Sequence, residues 1–442
     1  RPLKPTRPRR KKERRVDRWL MPEDFMGIRE LLLAYNCHPG REDQGRWTVE
    51  QFLPYVGYYD RGGRLCDYFF DAYLFLPFAA FPMRVPACNA DLWRMYVDNT
   101  FATGYNTDAL DFAFGETKRR LGDTSDRRAK VFLSILYPFK IQTKFGDLCG
   151  DGDFLDMSKL KDRKKAIKWI IDEQVRLFEQ GNYENLELYG FYWFEESIAF
   201  SDPHETELIR YASDYLHSLG YKLMWIPYYQ ASGFSDWKEL GFDMACMQPN
   251  YAFSGQATVE RLYDNAETTR RLGMCVEIEI GQYDAQADIL RYKEYLAVGA
   301  ETGYMNAVKV YYQGGLPGEF YKAYLSDNKY TNSIYHDTYA FAKGTFSEET
   351  ETGRDEIVGC EDIELECRAG SGVSGRLEID TEASYSVKLA VSPKYGAVRL
   401  NADGSFSYTS RRGFDVSDTF YVYADYGYGL SDPIAITVNV KP

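Results

Sequence analysis

Four glutamates stand beside or within apolar segments of this sequence. Glu195 and Glu196 follow an aromatic run that ends at Phe194, and Glu277 and Glu279 alternate with branched apolar residues. Burying an ionised carboxylate without a partner is costly, so acids in such segments are candidates for a functional site. Two acids can divide the work of hydrolysis, because a protonated carboxyl donates a proton to a leaving oxygen while a carboxylate attacks or activates water.

These acids must be positioned by regular elements, and the hydrophobic pattern predicts eight strands. The candidates are Arg29–Asn36, Tyr68–Pro77, Lys130–Tyr137, Leu186–Glu195, Lys222–Tyr229, Phe242–Pro249, Met274–Ile280 and Ala307–Gln313. Helices are predicted at Ala90–Leu121, Lys159–Gln180, Pro203–Leu219, Thr258–Leu272, Asp288–Thr302 and Phe320–Lys343. Several of these helices are followed by a glycine, which suits a left-handed C-cap. The alternation of eight strands with helices predicts an α/β fold, a (β/α)8 TIM barrel over residues 19–347.

In such a barrel the active site forms at the carboxyl ends of the strands. The period of two along a strand places Glu277 and Glu279 on the interior face, with Glu279 nearer the mouth. We interpret Glu196, after the fourth strand, as general acid/base and Glu279, on the seventh, as nucleophile or base. Glu195 and Glu277 are the alternates, and a one-residue register shift would exchange Glu195 with Glu196. In the competing interpretation, Glu195 and Glu196 are surface carboxylates of a loop. Glu277 and Glu279 then form structural salt bridges to residues such as Lys309.

Other polar and aromatic residues near the predicted strand ends form a candidate sugar-binding shell. Sugars stack their C–H faces on aromatic rings and bond their hydroxyls to amides and carboxylates. The candidates are Tyr35, Asn36, Asp71, Tyr137, Trp193, Trp225, Tyr228, Gln248, Asn250, Tyr251, Lys309, Tyr311 and Tyr312. Asp71 is of special interest, because an acid in the run Phe69–Phe75 needs a ligand or a partner.

The pattern changes after the barrel. A polar, acidic linker is predicted at 348–356, followed by a small all-β sandwich at 357–442 with strands such as Tyr385–Val391, Ser405–Thr409, Thr419–Ala424 and Ile434–Val440. The stretches Gly396–Tyr408 and Asp418–Asp425 resemble bacterial cadherin-like and immunoglobulin-like repeats of secreted and cell-surface proteins. That resemblance implies a secreted or cell-surface protein.

Charge narrows the range of partners. The net charge is −13, yet residues 1–18 are strongly basic and are predicted to be a solvated, flexible leader. The acidic remainder repels phosphates and anionic membrane surfaces, so we expect no nucleic-acid partner. No apolar run approaches the roughly 18–20 residues that span a bilayer, and we expect no membrane span.

Cysteine and histidine usage predicts no metal site. The eight cysteines form no C-x-x-C pair, and the chain has only four histidines. Cys246 and Cys275 are predicted to be buried thiols, whereas Cys360 and Cys367 could form a bridge. The segment Gly146–Asp153 resembles a calcium loop only loosely, and we interpret it as a plain loop. With no phosphate-binding glycine loop and no Gly-x-Ser-x-Gly elbow, we expect neither a nucleotide cofactor nor serine-hydrolase chemistry.

Five segments together resemble a bacterial family catalogued as domain of unknown function 4855. They are Gly190–Ile198, Trp225–Tyr229, Gly241–Met244, Gln248–Tyr251 and Val276–Glu279, in a match that spans roughly residues 28 to 343. The resemblance implies a glycosidase-like barrel, often attached to surface or carbohydrate-related modules, and it implies no substrate.

These observations favour a glycoside hydrolase acting on a polysaccharide or complex glycan without a cofactor. The alternative is a non-catalytic glycan-binding or cell-surface protein on the same barrel, and transglycosylation is a third, weaker hypothesis. The carboxyl separation would decide the stereochemistry, since about 5–5.5 Å favours retention and about 6.5–9.5 Å favours inversion.

Overall fold

The computed structural model describes residues 17–38, 40–41, 45–283 and 286–442. Most of the predicted basic leader, residues 1–16, lies outside the described residues. The chain divides into two compact units. The first comprises residues 1–282, 292–326 and 334–350, and the second comprises 283–291, 327–333 and 351–442.

Eight parallel strands close into the predicted barrel. Hydrogen-bonded neighbours are consecutive in the chain, and the last strand pairs with the first. The strands are β1 (Glu30–Asn36), β2 (Ala72–Pro77), β3 (Ala129–Ile135), β4 (Leu186–Trp193), β5 (Lys222–Trp225), β6 (Met244–Met247), β7 (Cys275–Glu279) and β8 (Lys309–Tyr312). The predicted (β/α)8 architecture is confirmed.

Alternate residues of the strands fill the barrel interior, as the pleat requires. Leu31 and Leu33 of β1 share one buried cluster with Val310 of β8 and with Val308, the residue just before that strand. Phe25, in the segment before β1, joins the same cluster. Intervening residues of each strand consequently face the helices, which decides which polar side chains can reach the interior.

The helices are α1 (Val49–Val56), α2 (Ala90–Thr100), α3 (Thr107–Leu121), α4 (Leu160–Gly181), α5 (Glu205–Leu219), α6 (Trp237–Leu240), α7 (Glu260–Leu272), α8 (Gln286–Thr302), α9 (Glu319–Tyr324) and α10 (Lys329–Ala342). The single helix predicted over Ala90–Leu121 is wrong, because Gly104 (φ 80°) and Asn106 (φ 48°) lie in the left-handed region and interrupt it. Asn106 is fixed there by the backbone N–H of Trp47, which donates to its side-chain oxygen at 2.9 Å. The helix predicted over Phe320–Lys343 is likewise divided, into α9 and α10.

The region after the barrel is all-β, as predicted. Its strands are β9 (Ile363–Arg368), β10 (Gly372–Arg376), β11 (Ser386–Val391), β12 (Gly396–Leu400), β13 (Ser405–Ser410), β14 (Asp418–Asp425) and β15 (Ile434–Lys441). They form a four-stranded sheet, β9-β15-β14-β11, and a three-stranded sheet, β10-β13-β12. Phe406 and Tyr408 of the smaller sheet share a core with Phe420 and Ile436 of the larger one.

The bridge that Cys360 and Cys367 could have formed is not present, since both thiols are free. Cys367 lies in β9, and at about 3.3 Å per residue the strand carries it roughly 13 Å from Ile363. A disulfide requires Cα atoms within about 7 Å, so the chain before Ile363 would have to fold back along the strand. Among the described residues, no helix has the length and apolarity needed to cross a membrane.

Candidate active site

A cavity of about 270 Å³ opens at the carboxyl ends of the barrel strands. Three of the four glutamates singled out above line it: Glu196, Glu277 and Glu279. The other lining residues are Leu33, Tyr35, Leu76, Tyr192, Ile226, Gln248, Phe253 and Tyr312. This is the end of the fold at which barrel enzymes place their chemistry.

Glu279, the last residue of β7, is held by several hydrogen-bond donors. The hydroxyl of Tyr295, from α8, donates to its carboxylate at 2.5 Å. Burial raises the pKa of Glu279 to about 7, while Tyr295 and the backbone N–H groups of Asn250 and Tyr251 act in the opposite direction. The charge of Glu196 raises this pKa further. The carboxyl can therefore change its protonation state near neutral pH.

Glu277 lies two residues earlier on the same face of β7, one step deeper in the barrel. It is 2% exposed. Burial, followed by the charges of Glu279 and Glu196, raises its pKa well above the ordinary value. Among the described residues, no side chain or backbone group opposes this rise in the pKa by stabilising the ionised form. These contributions favour the protonated form of the carboxyl.

The turn after β4 separates Glu196 from Glu195. Glu196 lines the cavity, and burial raises its pKa while Gln248 and Arg84 lower it. Glu195 does not line the cavity, and its carboxylate pairs with Arg84 at 2.7 Å. The indole N–H of Trp225 donates to the backbone oxygen of Glu195 at 2.7 Å, which fixes this turn from below. Of the two neighbours, Glu196 is the one that faces the candidate site.

Aromatic rings surround the three carboxyls. The rings of Tyr35 and Tyr312 meet edge to face at 5.7 Å, and Phe253 meets Tyr312 in the same way at 5.3 Å. Phe253 is 52% exposed and forms part of the cavity's rim. Tyr35, Gln248 and Tyr312 were predicted for the binding shell, and they do line the cavity. Tyr192, Phe253 and the aliphatic lining residues were not predicted.

A family model described as Domain of unknown function (DUF4855) matches residues 30–340. The chain belongs to the DUF4855 family. Its barrel with the acid-lined cavity coincides with the matched region, and the C-terminal β region lies beyond it. Among curated proteins, none matches this DUF4855 chain.

Several solved structures are similar to the DUF4855 chain at low identity. A cell-surface-expressed multi-modular chitinase of Paenibacillus sp. str. FPU-7 is 11% identical with a TM-score of 0.35, and the match covers 93% of this chain and 43% of the chitinase. An endo-fucoidan hydrolase of glycoside hydrolase family 107 is 10% identical with a TM-score of 0.32, covering 96% and 69%. A dihydroorotase is 9% identical with a TM-score of 0.28, covering 95% and 87%. The DUF4855 chain thus spans less than half of the chitinase, and at these TM-scores the likenesses say nothing about its substrate.

Three predicted binding residues of the DUF4855 barrel lie at its opposite, amino end. Lys309, the first residue of β8, pairs with Glu30 at 3.0 Å, and the Tyr311 hydroxyl donates to Glu30 at 2.5 Å. Asp71, just before β2, accepts the backbone N–H groups of Arg29 and Glu30 at 3.1 Å each. The structure does not support the binding roles predicted for these three residues. Lys309 and Tyr311 alternate with the interior residues Val310 and Tyr312 of β8, and Asp71 bonds the backbone at the start of β1. The bridge from Lys309 to Glu277 or Glu279, which belonged to the competing interpretation, is absent among the described residues.

Four further candidates face the helix layer instead of the cavity. Tyr192 points inward, so Trp193 points outward and packs edge-on against Tyr137 at 5.5 Å. Trp225 likewise lies between the interior residues Met224 and Ile226. The hydroxyl of Tyr137 donates to Glu205 and accepts a hydrogen bond from Arg163 at 2.7 Å. Asn36 donates to Thr100 at 2.9 Å. Direct sugar contact by these side chains is not supported.

The loop after β6 acts through its backbone. Asn250 and Tyr251 were predicted as binding side chains, but it is their N–H groups that act on Glu279. The Tyr251 side chain is buried and donates to Glu294 at 2.5 Å. Tyr228 is 42% exposed and lies outside the cavity lining. Tyr295 escaped the sequence analysis, because one tyrosine in an amphipathic helix carries no signal of its own.

Metal binding has no support in the part of the chain that the structure describes, where no group of three or more His, Cys, Asp or Glu side chains could hold an ion. In the loop near residues 146–153, Asp147 accepts backbone N–H groups of Gly150 and Gly152 at 2.7 and 2.8 Å. Asp151 and Asp153 both pair with Lys165. The loop satisfies its own carboxylates, in agreement with its interpretation as a plain loop.

Proposed function

We propose that this DUF4855 protein hydrolyses glycosidic bonds in a polysaccharide or complex glycan. The observation that supports this most strongly is that Glu196, after β4, and Glu279, at the end of β7, line one cavity at the carboxyl ends of the strands. Glycosidases of this chemistry need two carboxyls flanking the scissile bond. No cofactor is required for the reaction.

The surroundings of the two carboxyls support different roles. Glu279 is approached by the Tyr295 hydroxyl and two backbone N–H groups, which favour its ionised form. It is suited to act as nucleophile or base. Glu196 is buried and has a raised pKa, with Gln248 the first group opposing that shift. Its assignment as the proton donor rests on its position in the turn after β4, since the pKa of Glu279 is raised as well.

The aromatic lining supports a sugar as the ligand. Tyr35, Tyr192, Tyr312 and Phe253 present rings around the acids, and Gln248 adds an amide beside Glu196. Flat C–H faces of a sugar pack on such rings, while amides and carboxyls bind its hydroxyls.

The test is hydrolysis of a panel of polysaccharides by the intact protein, followed through newly formed reducing ends. We expect Glu196→Gln and Glu279→Gln each to lower the rate by about 10²–10⁴-fold while the glycan still binds. Glu267→Gln, on the exposed surface of α7, makes the same charge change away from the cavity and should leave the rate unchanged. If the wild type binds a glycan but forms no reducing ends, the protein is a glycan-binding module and the proposal fails. Longer products without a net gain of reducing ends would instead indicate transglycosylation, in which a sugar hydroxyl replaces water as the acceptor.

A further inference from the structure

Glu277 has no task in the acid pair proposed above, yet it occupies the deeper part of the same cavity. It lines the cavity and is 2% exposed. Among the described residues, no hydrogen bond reaches its carboxyl group, and no cation pairs with it. Because Glu277 lines the cavity, the partner of its carboxyl group comes from what occupies the cavity and not from a described protein group.

The titratable groups that face Glu277 are all acidic. Glu279 lies on the same strand, and Glu196 approaches from the turn after β4. Tyr35 faces it from β1, Tyr192 from β4 and Tyr312 from β8, while Cys246 lies beside it on β6. The described lining contains no Lys, Arg or His. Arg84, the cation that acts on Glu196, pairs with Glu195 outside the lining.

Such a cavity distinguishes ligands by charge. A sulfated or uronic sugar would bring an anion toward three carboxyls in a poorly solvated space, where repulsion is strong. A neutral sugar would bring hydroxyls, which carry no charge and so give no electrostatic stabilisation to an ionised Glu277. An ammonium group supplies both the missing positive charge and three hydrogen-bond donors.

We propose that Glu277 binds the ammonium group of an amino sugar, so that the preferred substrate is a glycan with free, non-acetylated amino groups. This inference rests on the proposed function in one respect, namely that a sugar occupies this cavity. Glu277 is then a specificity-determining residue and takes no part in bond cleavage.

Binding is coupled to a proton. Burial and the two neighbouring glutamates raise the pKa of Glu277, which favours its protonated form. When the ammonium group enters, Glu277 ionises, and the released proton passes to the solvent. Affinity should therefore increase as pH rises, until the amino group of the sugar itself loses its proton.

The experiment is calorimetric titration of the full-length protein with glucosamine, galactosamine and mannosamine. The matched ligands are their N-acetyl derivatives and the parent hexoses, so that no linkage has to be known. We expect the amino form of at least one sugar to bind about tenfold more tightly than both counterparts, with net proton release in buffers of different ionisation enthalpy.

The variants Glu277→Gln and Glu267→Gln make the same change inside and outside the cavity. Glu277→Gln should abolish the preference for the amino sugar, and Glu267→Gln should keep it. Glu277→Asp keeps the charge on a shorter side chain and should retain part of the preference.

Glu277→Gln should also unfold at a higher temperature than the wild type at neutral pH, because an acid with a raised pKa reduces stability as pH rises. That measurement separates lost specificity from lost folding.

The proposal is overturned if the N-acetylated or neutral sugars bind as well as the amino sugars, if no amino sugar binds, or if the preference survives in Glu277→Gln. Its failure is distinguishable from that of the hydrolase proposal, since binding is measured without turnover. Hydrolysis of a neutral glycan that depends on Glu196 and Glu279, without amino-sugar preference, would leave only the hydrolase proposal standing.

Discussion

Three carboxyls in one small cavity cannot all be ionised at low cost, and their neighbours decide which of them keeps its proton. Glu279 is surrounded by donors, whereas Glu277 faces only other acids and tyrosines. The hydroxyl of Tyr295 donates a hydrogen bond to Glu279. The same hydroxyl accepts hydrogen bonds from the backbone N–H groups of Tyr251 and Ala252 at 3.2 and 3.0 Å. Tyr295 is therefore a positioning residue for Glu279.

Replacing Tyr295 with Phe should move the acidic limb of the pH–rate profile upward. Glu279 must be ionised to act as nucleophile or base, so activity declines as pH falls through its pKa, which is about 7. The Tyr295 hydroxyl lowers that pKa, and its removal raises it. We expect activity to be lost at a higher pH than in the wild type, measured as kcat/KM against pH. Tyr292→Phe is the control, since its hydroxyl bonds Thr338 at 2.6 Å in the helix layer. An unchanged limb in Tyr295→Phe would contradict the role of Glu279.

At the scale of single residues, the sequence predicted side-chain orientation wherever the two-residue period of a strand applied. Alternation along β7 was enough to place Glu277 and Glu279 inside the barrel, and the position after β4 indicated Glu196. The same alternation places Lys309 and Tyr311 outside the cavity, but this required the register of β8, in which Val310 and Tyr312 face inward. Tyr295 could not be found, because its role arises from a helix packed against a strand 16 positions earlier in the chain.

At the scale of elements, the amino end of the barrel is joined by a buried ion pair. Lys309 and Glu30 are the first residues of β8 and β1, and their side chains are 0% and 3% exposed. Burial raises the pKa of Glu30 to about 7 even though Lys309 lowers it. Asp71 bonds the backbone at the start of β1, which brings β2 into the same cluster. Glu30 and Asp71 thus connect the strands at the end of the barrel opposite the cavity.

Lys309→Met should destabilise the barrel without changing sugar binding. It leaves Glu30 buried without its cation, a loss that typically costs about 3–5 kcal/mol. Lys309 lowers the pKa of Glu30, which is about 7, so its removal raises that pKa. The destabilisation should therefore grow as pH rises above about 7 and shrink as pH falls toward it. Urea unfolding measures the effect, and Lys130→Met, which breaks the partly exposed pair with Glu187, should cost less than about 1 kcal/mol. Equal costs for the two variants would contradict this account.

Strand and helix existence was more predictable than their boundaries. Short runs of branched and aromatic residues identified all eight barrel strands, because a parallel strand buried on both faces is almost continuously apolar. The division of Ala90–Leu121 was missed, since Asn106 adopts a left-handed backbone only through its bonds to other parts of the fold. β9, β10 and β12 went unassigned, and their partly exposed residues give a weak apolar signal.

At the scale of the whole molecule, packing rather than cross-linking stabilises both compact units. All eight cysteines are free. The linker at 348–356, the immunoglobulin-like character of the C-terminal region and the secreted or cell-surface location stay predictions. They rest on composition and on a repeat resemblance.

Reducing agent should leave the unfolding temperature unchanged. A disulfide typically contributes about 2–4 kcal/mol, which would appear as a clear shift on reduction. The measurement is thermal unfolding with and without dithiothreitol, together with thiol titration of the denatured protein. Fewer than eight thiols, or a lower unfolding temperature on reduction, would show a bridge that this structure lacks.

The most direct test of the central claim is the dependence of hydrolysis on the leaving group in Glu196→Gln and Glu279→Gln. The substrates are paired aryl glycosides of the sugar that binds, one with a dinitrophenyl group and one with an unsubstituted phenyl group. An activated leaving group needs no proton, so Glu196→Gln should lose about 10²–10⁴-fold on the phenyl glycoside and little on the dinitrophenyl one. Glu279→Gln should lose activity on both. If both variants cleave both substrates at wild-type rates, Glu196 and Glu279 are not the acid pair.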